Sequence, residues 1–224
     1  MRVDRAVLLT PGAGASRDHS ALVAIEAALT PLPVERMDFP YRRAGRKTPD
    51  RPEVLVAAVR ETVAALAERT GLPPERLVLG GRSLGGRMCS LAVAEGVRAL
   101  GLALVSYPLH PPGHPEKPRT EHLSRLDLPC LFVSGTRDAF GSPAELEAAT
   151  AAIPGPVTHV WLDGGDHGLR RRDAEVADAV ATWVRGLPPA PSARSARSAT
   201  VRSAARDPRG SGPRAPAGPS PGSA

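Results

Sequence analysis

One pentapeptide constrains the fold of this chain more than any other stretch. Residues 81–85 read Gly-Arg-Ser-Leu-Gly, which is the pattern G-x-S-x-G. A short apolar run, Leu77–Gly80, precedes it, and a helix-forming run, Gly86–Glu95, follows it. A serine between a buried strand and a helix occupies a sharp turn, and flanking glycines keep that turn free of side chains. The pattern therefore predicts a strained turn that raises the Ser83 hydroxyl above a sheet.

Two competing glycine motifs do not fit the chain. A phosphate-binding P-loop needs Lys and then Ser or Thr after its last glycine, whereas Arg87 and Met88 follow Gly86. A dinucleotide-binding G-x-G-x-x-G pattern could begin at Gly12, but Arg17 occupies its last position. A glycine turn of purely structural origin remains the alternative to a nucleophile, because such turns are common in α/β proteins.

Short apolar runs alternate with helical patterns along residues 1–187. Strands are expected at Ala6–Thr10, Val34–Phe39, Leu77–Gly80, Leu100–Ser106, Leu128–Ser134 and Val157–Leu162. Helices are expected from a Ser16 or Asp18 cap, from an Asp50 cap, after Ser83, and over about 143–152 and 173–185. This alternation predicts an α/β fold with about six mainly parallel strands, covered by helices on both faces and without a large lid.

The composition changes at Pro188. Residues 188–224 are mainly Pro, Ala, Ser, Gly and Arg, which bury too little apolar surface to offset the entropy of ordering. We therefore expect one domain over 1–187 and a disordered tail over 188–224. The tail's six arginines and one aspartate account for most of the net charge of +6. This scattered charge does not predict a nucleic-acid partner, although a weak tether to an anionic surface remains the alternative.

Cysteine use and hydropathy favour a cytoplasmic protein. Cys89 and Cys130 lie in apolar segments and are expected to be free buried thiols, although the sequence alone leaves a disulfide open. No run approaches the roughly 18–20 apolar residues that cross a bilayer. The N-terminus lacks the apolar core of a signal peptide. We therefore expect no membrane partner.

Three side chains of complementary chemistry follow three predicted strands. Ser83 follows the third strand, Asp138 the fifth and His167 the sixth. The carboxyl ends of parallel strands lie at one edge of a sheet, so these side chains should meet there. A neutral imidazole can take the proton of a serine hydroxyl, and a carboxylate on its other nitrogen fixes the tautomer. The spacing therefore predicts a catalytic triad of these three residues.

Two members of this triad have alternatives. Asp138 could be an ordinary turn residue, because aspartate is common directly after a strand. Asp163 and Asp166 compete with it for the role of the acid. Both lie on the same loop as His167, too near it to approach from a separate strand. An imidazole in a glycine-rich loop would be an unusual core histidine, which favours catalysis for His167.

An acyl-transfer site also needs N–H donors for the developing oxyanion. The amide of Leu84, directly after the candidate nucleophile, is one. The loop after the first strand, residues 12–14, should supply the other. Within that loop we favour Ala13, with Gly12 as the neighbouring choice.

Candidates for substrate contact rest on position alone. Tyr107 and His110 lie in a Pro-rich segment after the fourth strand, and Arg82 precedes the candidate nucleophile. The basic stretch 42–51 is either a solvated surface or a site for an anionic group of the substrate. No His, Cys or carboxylate cluster has metal-ligand spacing, so we expect neither a metal nor a cofactor.

The ordered motifs resemble those of the small α/β-hydrolases related to dienelactone hydrolase. They are most similar to the branch that contains a testis-expressed protein and a subunit of a chromatin-acetylating complex. The matching segments are 79–87, 106–110, 131–136 with Asp138, Asp166-His167, and the basic stretch 39–51. The resemblance covers roughly residues 6–186. It implies a minimal α/β-hydrolase fold and the triad of Ser83, Asp138 and His167.

The chain departs from that family at one position. The first strand of the family often ends His-Gly-Ala-Gly, whereas residues 11–14 read Pro-Gly-Ala-Gly. The backbone donors are kept, but a side chain that could order the loop is missing. We expect a serine hydrolase that forms an acyl-enzyme, with a small-molecule acyl ester or thioester as substrate. The alternative is a non-catalytic interaction domain that keeps the serine turn as architecture.

Overall fold

Six parallel strands form the central layer of the protein. The computed structural model describes residues 3–188. Its strands are β1 (Ala6–Thr10), β2 (Val34–Arg36), β3 (Leu77–Arg82), β4 (Gly101–Val105), β5 (Cys130–Gly135) and β6 (Val157–Leu162). They lie in the order β2-β1-β3-β4-β5-β6. The predicted α/β fold is confirmed, whereas the predicted tail, 188–224, lies outside the described residues except for Pro188.

Helices cover both faces of this sheet. Within residues 3–188 they are α1 (Ser20–Leu29), α2 (Pro40–Arg43), α3 (Pro52–Thr70), α4 (Leu84–Ala94), α5 (Pro143–Thr150) and α6 (Asp173–Gly186). Alternate strand residues point to opposite faces. Those on one face, such as Val78, pack with α1 and α6, and those on the other, such as Leu79, pack with α3 and α4. Burial on both faces explains why the four inner strands, β1, β3, β4 and β5, are mainly apolar, whereas the edge strands β2 and β6 also carry polar residues.

The predicted cap of α1 is wrong, because both candidate side chains have other partners. His19 precedes the helix, and its Nδ1 accepts the amide of Ala21 at 3.2 Å. The carboxylate of Asp18 binds the guanidinium of Arg36 at 2.8 Å. The hydroxyl of Ser16 accepts the amide of Asp18 at 3.3 Å, two residues before the helix.

The predicted Asp50 cap of α3 is also wrong. Arg51 occupies the cap position without a side-chain hydrogen bond, and Pro52 opens the helix. The carboxylate of Asp50 instead binds the guanidinium of Arg46 at 2.7 Å. Proline at the first helical position has a suitable fixed φ and needs no acceptor, so the helix begins without a side-chain cap.

The second strand is shorter than predicted. It covers Val34–Arg36 rather than Val34–Phe39. The chain leaves the sheet after the amide of Met37 bonds to the carbonyl of Leu9 at 3.1 Å. Pro40, which has no N–H to add to a ladder, then starts α2 within the basic stretch.

The carboxyl edge of the sheet is not covered by an inserted domain. The connection from β4 to β5, residues 106–129, contains only one short 3-10 turn, at Leu123–Arg125. Within residues 3–188 we therefore find no large lid, as the sequence predicts. No helix in that range is both long enough and apolar enough to cross a membrane.

Strand β1 lies directly against the turn between β3 and α4. A Cβ built on Gly81 would lie 2.6 Å from the carbonyl oxygen of Thr10, and one built on Gly85 would lie 2.5 Å from the same oxygen. Real Cβ atoms do not approach backbone this closely. Glycine is therefore required at both positions so that β1 can approach the turn.

Replacing Gly85 with alanine should destabilise the fold. We expect Gly85→Ala to lower the free energy of unfolding by about 1–3 kcal/mol, because the methyl group must displace the backbone of β1. Gly186→Ala is the control, because a Cβ there meets no atom within 4 Å, and it should change stability by less than about 0.5 kcal/mol. Urea unfolding followed by circular dichroism measures both. Equal midpoints for Gly85→Ala and the parent would contradict the close approach.

Candidate active site

Ser83 occupies the turn between β3 and α4 in a strained conformation. Its φ is 51° and its ψ is −117°, a region that a residue with a Cβ rarely adopts. The amide of Ser83 donates to the carbonyl oxygen of Val105 on β4 at 2.8 Å. This bond ties the turn to the neighbouring strand and holds the serine at the carboxyl edge of the sheet.

The imidazole of His167 reaches Ser83 from the loop after β6. Its Nε2 lies 2.8 Å from the Oγ of Ser83, and its Nδ1 lies 2.8 Å and 3.0 Å from the two carboxylate oxygens of Asp138. An ionised carboxylate only accepts, so Nδ1 carries the proton and donates to Asp138. Nε2 is then free to accept the O–H of Ser83. The structure thus brings together the three side chains that the sequence singles out.

Asp138 is the carboxylate that orients this imidazole. Its side chain has no exposed surface, and its Oδ1 also accepts the amide of Phe140 at 2.8 Å. The two competing carboxylates are engaged elsewhere. Asp163 accepts a hydrogen bond from the hydroxyl of Thr136, in the loop after β5. Asp166 accepts a hydrogen bond from the amide of Leu169. Within residues 3–188, Asp138 is the carboxylate that bonds to the imidazole.

Phe140 is a site residue that sequence reasoning missed. Its ring stacks on the imidazole of His167, with the ring centroids 3.9 Å apart and the planes 27° apart. Its carbonyl oxygen accepts the amide of His110 at 3.1 Å. The only sequence signal is its place two residues after Asp138. The ring covers one face of the imidazole and restricts its rotation.

The amide of Leu84 is available to an oxyanion. It is the first amide of α4, and the first amides of a helix have no acceptor within the helix. Arg87 is the first residue whose amide bonds back, to the carbonyl of Ser83 at 3.1 Å. The positive end of the helix dipole also favours negative charge beside Ser83.

The loop after β1 lies beside the serine. A Cβ built on Gly12 would lie 3.7 Å from the Cβ of Ser83. The carbonyl of Gly12 accepts the amide of Ala15 at 3.1 Å. Since a trans peptide directs its C=O and N–H oppositely, the N–H of Ala13 points away from that turn and is free for a ligand.

Tyr41 provides a side-chain anchor for this loop. Its hydroxyl donates to the carbonyl oxygen of Ala13 at 2.8 Å. Burial raises the pKa of Tyr41, so the phenol stays protonated and remains a donor. The loop therefore has an ordering contact although Pro11 stands where the resembling family often has histidine.

Arg82 connects the serine turn to the histidine loop. Its Nη2 donates to the carbonyl oxygens of His167 at 2.8 Å and of Gly168 at 3.1 Å. Burial lowers the pKa of Arg82, opposed by the charges of Asp138 and Asp166, and the guanidinium remains a cation. The sequence suggests a substrate contact for Arg82, whereas the structure shows it holding the backbone that carries the imidazole.

The described residues place no metal-binding cluster in the site. Within residues 3–188, no group of three or more His, Cys, Asp or Glu residues could hold a metal ion. Cys89 and Cys130 are free and buried. Burial raises the pKa of each thiol to about 12, so neither is a nucleophile.

Residues 3–185 match the family described as alpha/beta hydrolase domain. The chain belongs to the α/β-hydrolase family. Solved structures share this fold at low sequence identity. One is an α-β serine hydrolase homologue from Coxiella burnetii, with 16% identity, a TM-score of 0.65, and coverage of 79% of this chain and 84% of that chain.

Two esterase structures are also similar to this α/β-hydrolase. Est1E from Butyrivibrio proteoclasticus has 15% identity and a TM-score of 0.65, and the match covers 83% of this chain and 88% of that chain. The esterase domain of a Rhodothermus marinus protein has 19% identity and a TM-score of 0.63, with the same coverages of 83% and 88%. These likenesses show a shared fold.

Tyr107 and His110 of this α/β-hydrolase are more buried than substrate contacts usually are. Tyr107 is 1% exposed, and its hydroxyl lies 3.2 Å from the Nε2 of His122. His110 is 6% exposed, and its Nδ1 donates to the carbonyl of Pro111 at 2.8 Å. Both side chains stabilise the segment after β4.

His122 lies in a buried polar cluster with Tyr107 and Ser90. Its Nε2 is also 2.8 Å from the hydroxyl of Ser90 on α4. Burial, together with the charges of Arg87 and Arg125, lowers the pKa of His122 to about 4. The folded hydrolase therefore holds this imidazole neutral near pH 7.

The buried imidazole should make stability depend on pH. The unfolded chain protonates His122 near its ordinary pKa of 6.5, and the folded chain does so only near 4. Stability should therefore fall as the pH drops from about 6.5 towards 4, because the unfolded state binds more protons. Urea unfolding at pH 7 and pH 5 should show a smaller loss for His122→Gln than for the parent. The exposed His114→Gln is the control, and equal losses in all three proteins would refute the assignment.

Removing the Arg82 guanidinium should loosen the imidazole. Hydrogen bonds from charged groups contribute about 1.5–3 kcal/mol, so we expect Arg82→Met to slow covalent modification of Ser83 by a fluorophosphonate about 10- to 100-fold. Arg82→Lys should recover part of this rate, because an ammonium can reach one carbonyl. Hydrogen exchange at Gly168 should speed up in Arg82→Met alone. Equal labelling rates in parent and Arg82→Met would show that the contact does not position His167.

Proposed function

We propose that this α/β-hydrolase is a serine hydrolase that cleaves small acyl esters or thioesters through an acyl-enzyme. One observation carries the proposal, namely the continuous hydrogen-bonded chain from Ser83 Oγ through the imidazole of His167 to the buried carboxylate of Asp138. This order of hydroxyl, imidazole and carboxylate is the arrangement that general-base activation of a hydroxyl requires.

The first half-reaction transfers the acyl group to the enzyme. The Oγ of Ser83 attacks the carbonyl carbon while its proton passes to Nε2 of His167. The resulting imidazolium is stabilised by the carboxylate of Asp138. When the tetrahedral intermediate collapses, the bond to the leaving group breaks, and the imidazolium returns its proton to the departing alcohol or thiol. An ester between Ser83 and the acyl group remains.

The second half-reaction releases the acid. Water gives a proton to Nε2 of His167 as its oxygen attacks the acyl carbon. Collapse of the second intermediate breaks the bond to Ser83, and the same proton returns to the serine oxygen. The carboxylic acid leaves and the enzyme is regenerated without any cofactor.

The oxyanion in both steps would be held by backbone amides. The amide of Leu84 at the start of α4 is one donor, and the loop of Gly12 and Ala13 supplies the second. One such donor contributes about 3–4 kcal/mol to transition-state stabilisation. The bond from the amide of Ala15 to the carbonyl of Gly12 orients the peptide that carries the N–H of Ala13, and the hydroxyl of Tyr41 anchors the next peptide of the loop.

Two observations indicate an open site and so favour a small substrate. The segment 106–129 leaves the carboxyl edge of the sheet without a large lid, and the imidazole of His167 is 19% exposed. An open site cannot enclose a long acyl chain, so short acyl groups fit best. The likeness to Est1E and to the Rhodothermus marinus esterase domain agrees with ester chemistry.

Covalent labelling tests the proposal directly. A fluorophosphonate should modify Ser83 in the folded parent and should not modify Ser83→Ala. We expect Ser83→Ala to lower kcat/KM for a 4-nitrophenyl ester by about 10⁴-fold or more. Ser124→Ala, which replaces an exposed serine, is the control and should keep both labelling and turnover.

The opposite result would support a different function. A folded parent that is not labelled and turns over no ester would overturn the hydrolase proposal. The alternative would then be an interaction domain that keeps the serine turn as architecture. Circular dichroism of each variant shows that loss of labelling does not come from unfolding.

A further inference from the structure

Arg87 is a half-buried cation on α4. Its Nε is buried and has no hydrogen-bond partner among residues 3–188. Two other arginines with buried or partly buried side chains are satisfied: Arg5 donates to the carbonyls of Val184 and Leu187, and Arg82 donates to the histidine loop. A guanidinium removed from water without compensation is unfavourable, so an unpartnered one points to a missing anion.

Arg87 lies close to the candidate nucleophile. It is one helical turn after Ser83, and its amide donates to the carbonyl of Ser83 at 3.1 Å. Side chains on a helix lean towards its N-terminus. The guanidinium of Arg87 therefore extends towards the carboxyl edge of the sheet, where an ester bound at Ser83 would lie.

The backbone of a second arginine, Arg119, is bonded to the same polar cluster as the backbone of Arg87. The hydroxyl of Ser90 donates to the carbonyl of Arg87 at 2.8 Å and lies 2.8 Å from the Nε2 of His122. The same Nε2 is 3.2 Å from the hydroxyl of Tyr107, which donates to the carbonyl of Arg119 at 3.3 Å. The backbone carbonyls of Arg87 and Arg119 therefore lie at the two ends of one buried polar cluster, and the two guanidiniums are near enough for the charge of Arg119 to act on Arg87.

No carboxylate neutralises this pair. Within residues 3–188, neither Arg87 nor Arg119 has a carboxylate oxygen within 4.0 Å of its side-chain nitrogens. Burial lowers the pKa of Arg87, and the charge of Arg119 lowers it further. By contrast, Arg46 of the basic stretch 42–51 is already paired with Asp50.

We propose that Arg87 and Arg119 form a subsite for an anionic group, a carboxylate or a phosphate, on the ester that Ser83 cleaves. A guanidinium presents paired N–H donors that match either anion, and in a partly desolvated site this contact is strong. The inference rests on the proposed hydrolase function and names the substrate class: small acyl esters that carry a negative charge away from the scissile bond.

A matched pair of esters tests the subsite. The mono-4-nitrophenyl ester of glutaric acid carries a carboxylate, and 4-nitrophenyl pentanoate is a neutral ester of the same chain length. We expect the parent to prefer the anionic ester by tenfold or more in kcat/KM, mainly through KM. Arg87→Gln should bring this ratio close to one, and Arg119→Gln should lower it. Arg87→Lys should keep part of the preference because it keeps the charge.

Controls separate this subsite from general electrostatics and from misfolding. Arg60→Gln removes an exposed arginine on α3 and should leave both kcat/KM values unchanged. Circular dichroism establishes whether each variant is folded. If Arg87→Gln does not fold, the partial loss of preference in Arg87→Lys tests the subsite instead. A parent without any preference, or a preference that survives both Arg87→Gln and Arg119→Gln, would overturn the proposal.

A binding measurement distinguishes failure of the subsite from failure of the hydrolase function. Isothermal titration of Ser83→Ala with glutarate and, separately, with inorganic phosphate needs no catalysis. Binding that is lost in the Ser83→Ala, Arg87→Gln double variant supports the subsite even if no ester is cleaved, and the two titrations show which anion it prefers. Absence of binding, or equal binding by both proteins, overturns it.

Discussion

The close approach of β1 to the serine turn is the constraint on which the site depends. Because residues 81 and 85 carry no side chains, the carbonyl of Thr10 can lie where a Cβ would otherwise be. This contact puts the loop that follows β1 beside Ser83. The strained φ of Ser83 is tolerable because backbone bonds on both neighbouring strands hold the turn.

Much of the fold and the candidate triad could be predicted from sequence, because parallel strands impose a simple rule. Apolar runs mark buried strands, and polar residues just after them collect at one edge, which locates Ser83, Asp138 and His167 without knowledge of the packing. Local features were harder to predict. Asp50 and Asp18 are good helix caps in isolation, but each has an arginine partner, and sequence does not reveal such competition.

The residues that contact the candidate triad and its loops could not be predicted either, because sequence does not reveal their distant partners. Arg82 occupies a variable position of the G-x-S-x-G pattern, and its role exists only because the loop after β6 folds over it. Phe140 follows no periodicity, and Tyr41 lies in a stretch whose charge drew attention to its arginines. Tyr107 looks like a candidate for ligand contact in a Pro-rich loop, yet it is buried. In each case the partner lies far away in the chain.

The imidazole of His167 lies on a loop that can move without unfolding of the whole domain. Within the described residues, β6 pairs with β5 alone, so the loop that carries His167 follows an edge strand of the sheet. Edge strands unfold locally more readily than central strands do. Fraying there would move the base out of reach while the hydrophobic layers stayed intact, and the guanidinium of Arg82 and the ring of Phe140 oppose that movement. If the proposed hydrolase function holds, heating would abolish activity below the temperature at which the whole domain unfolds.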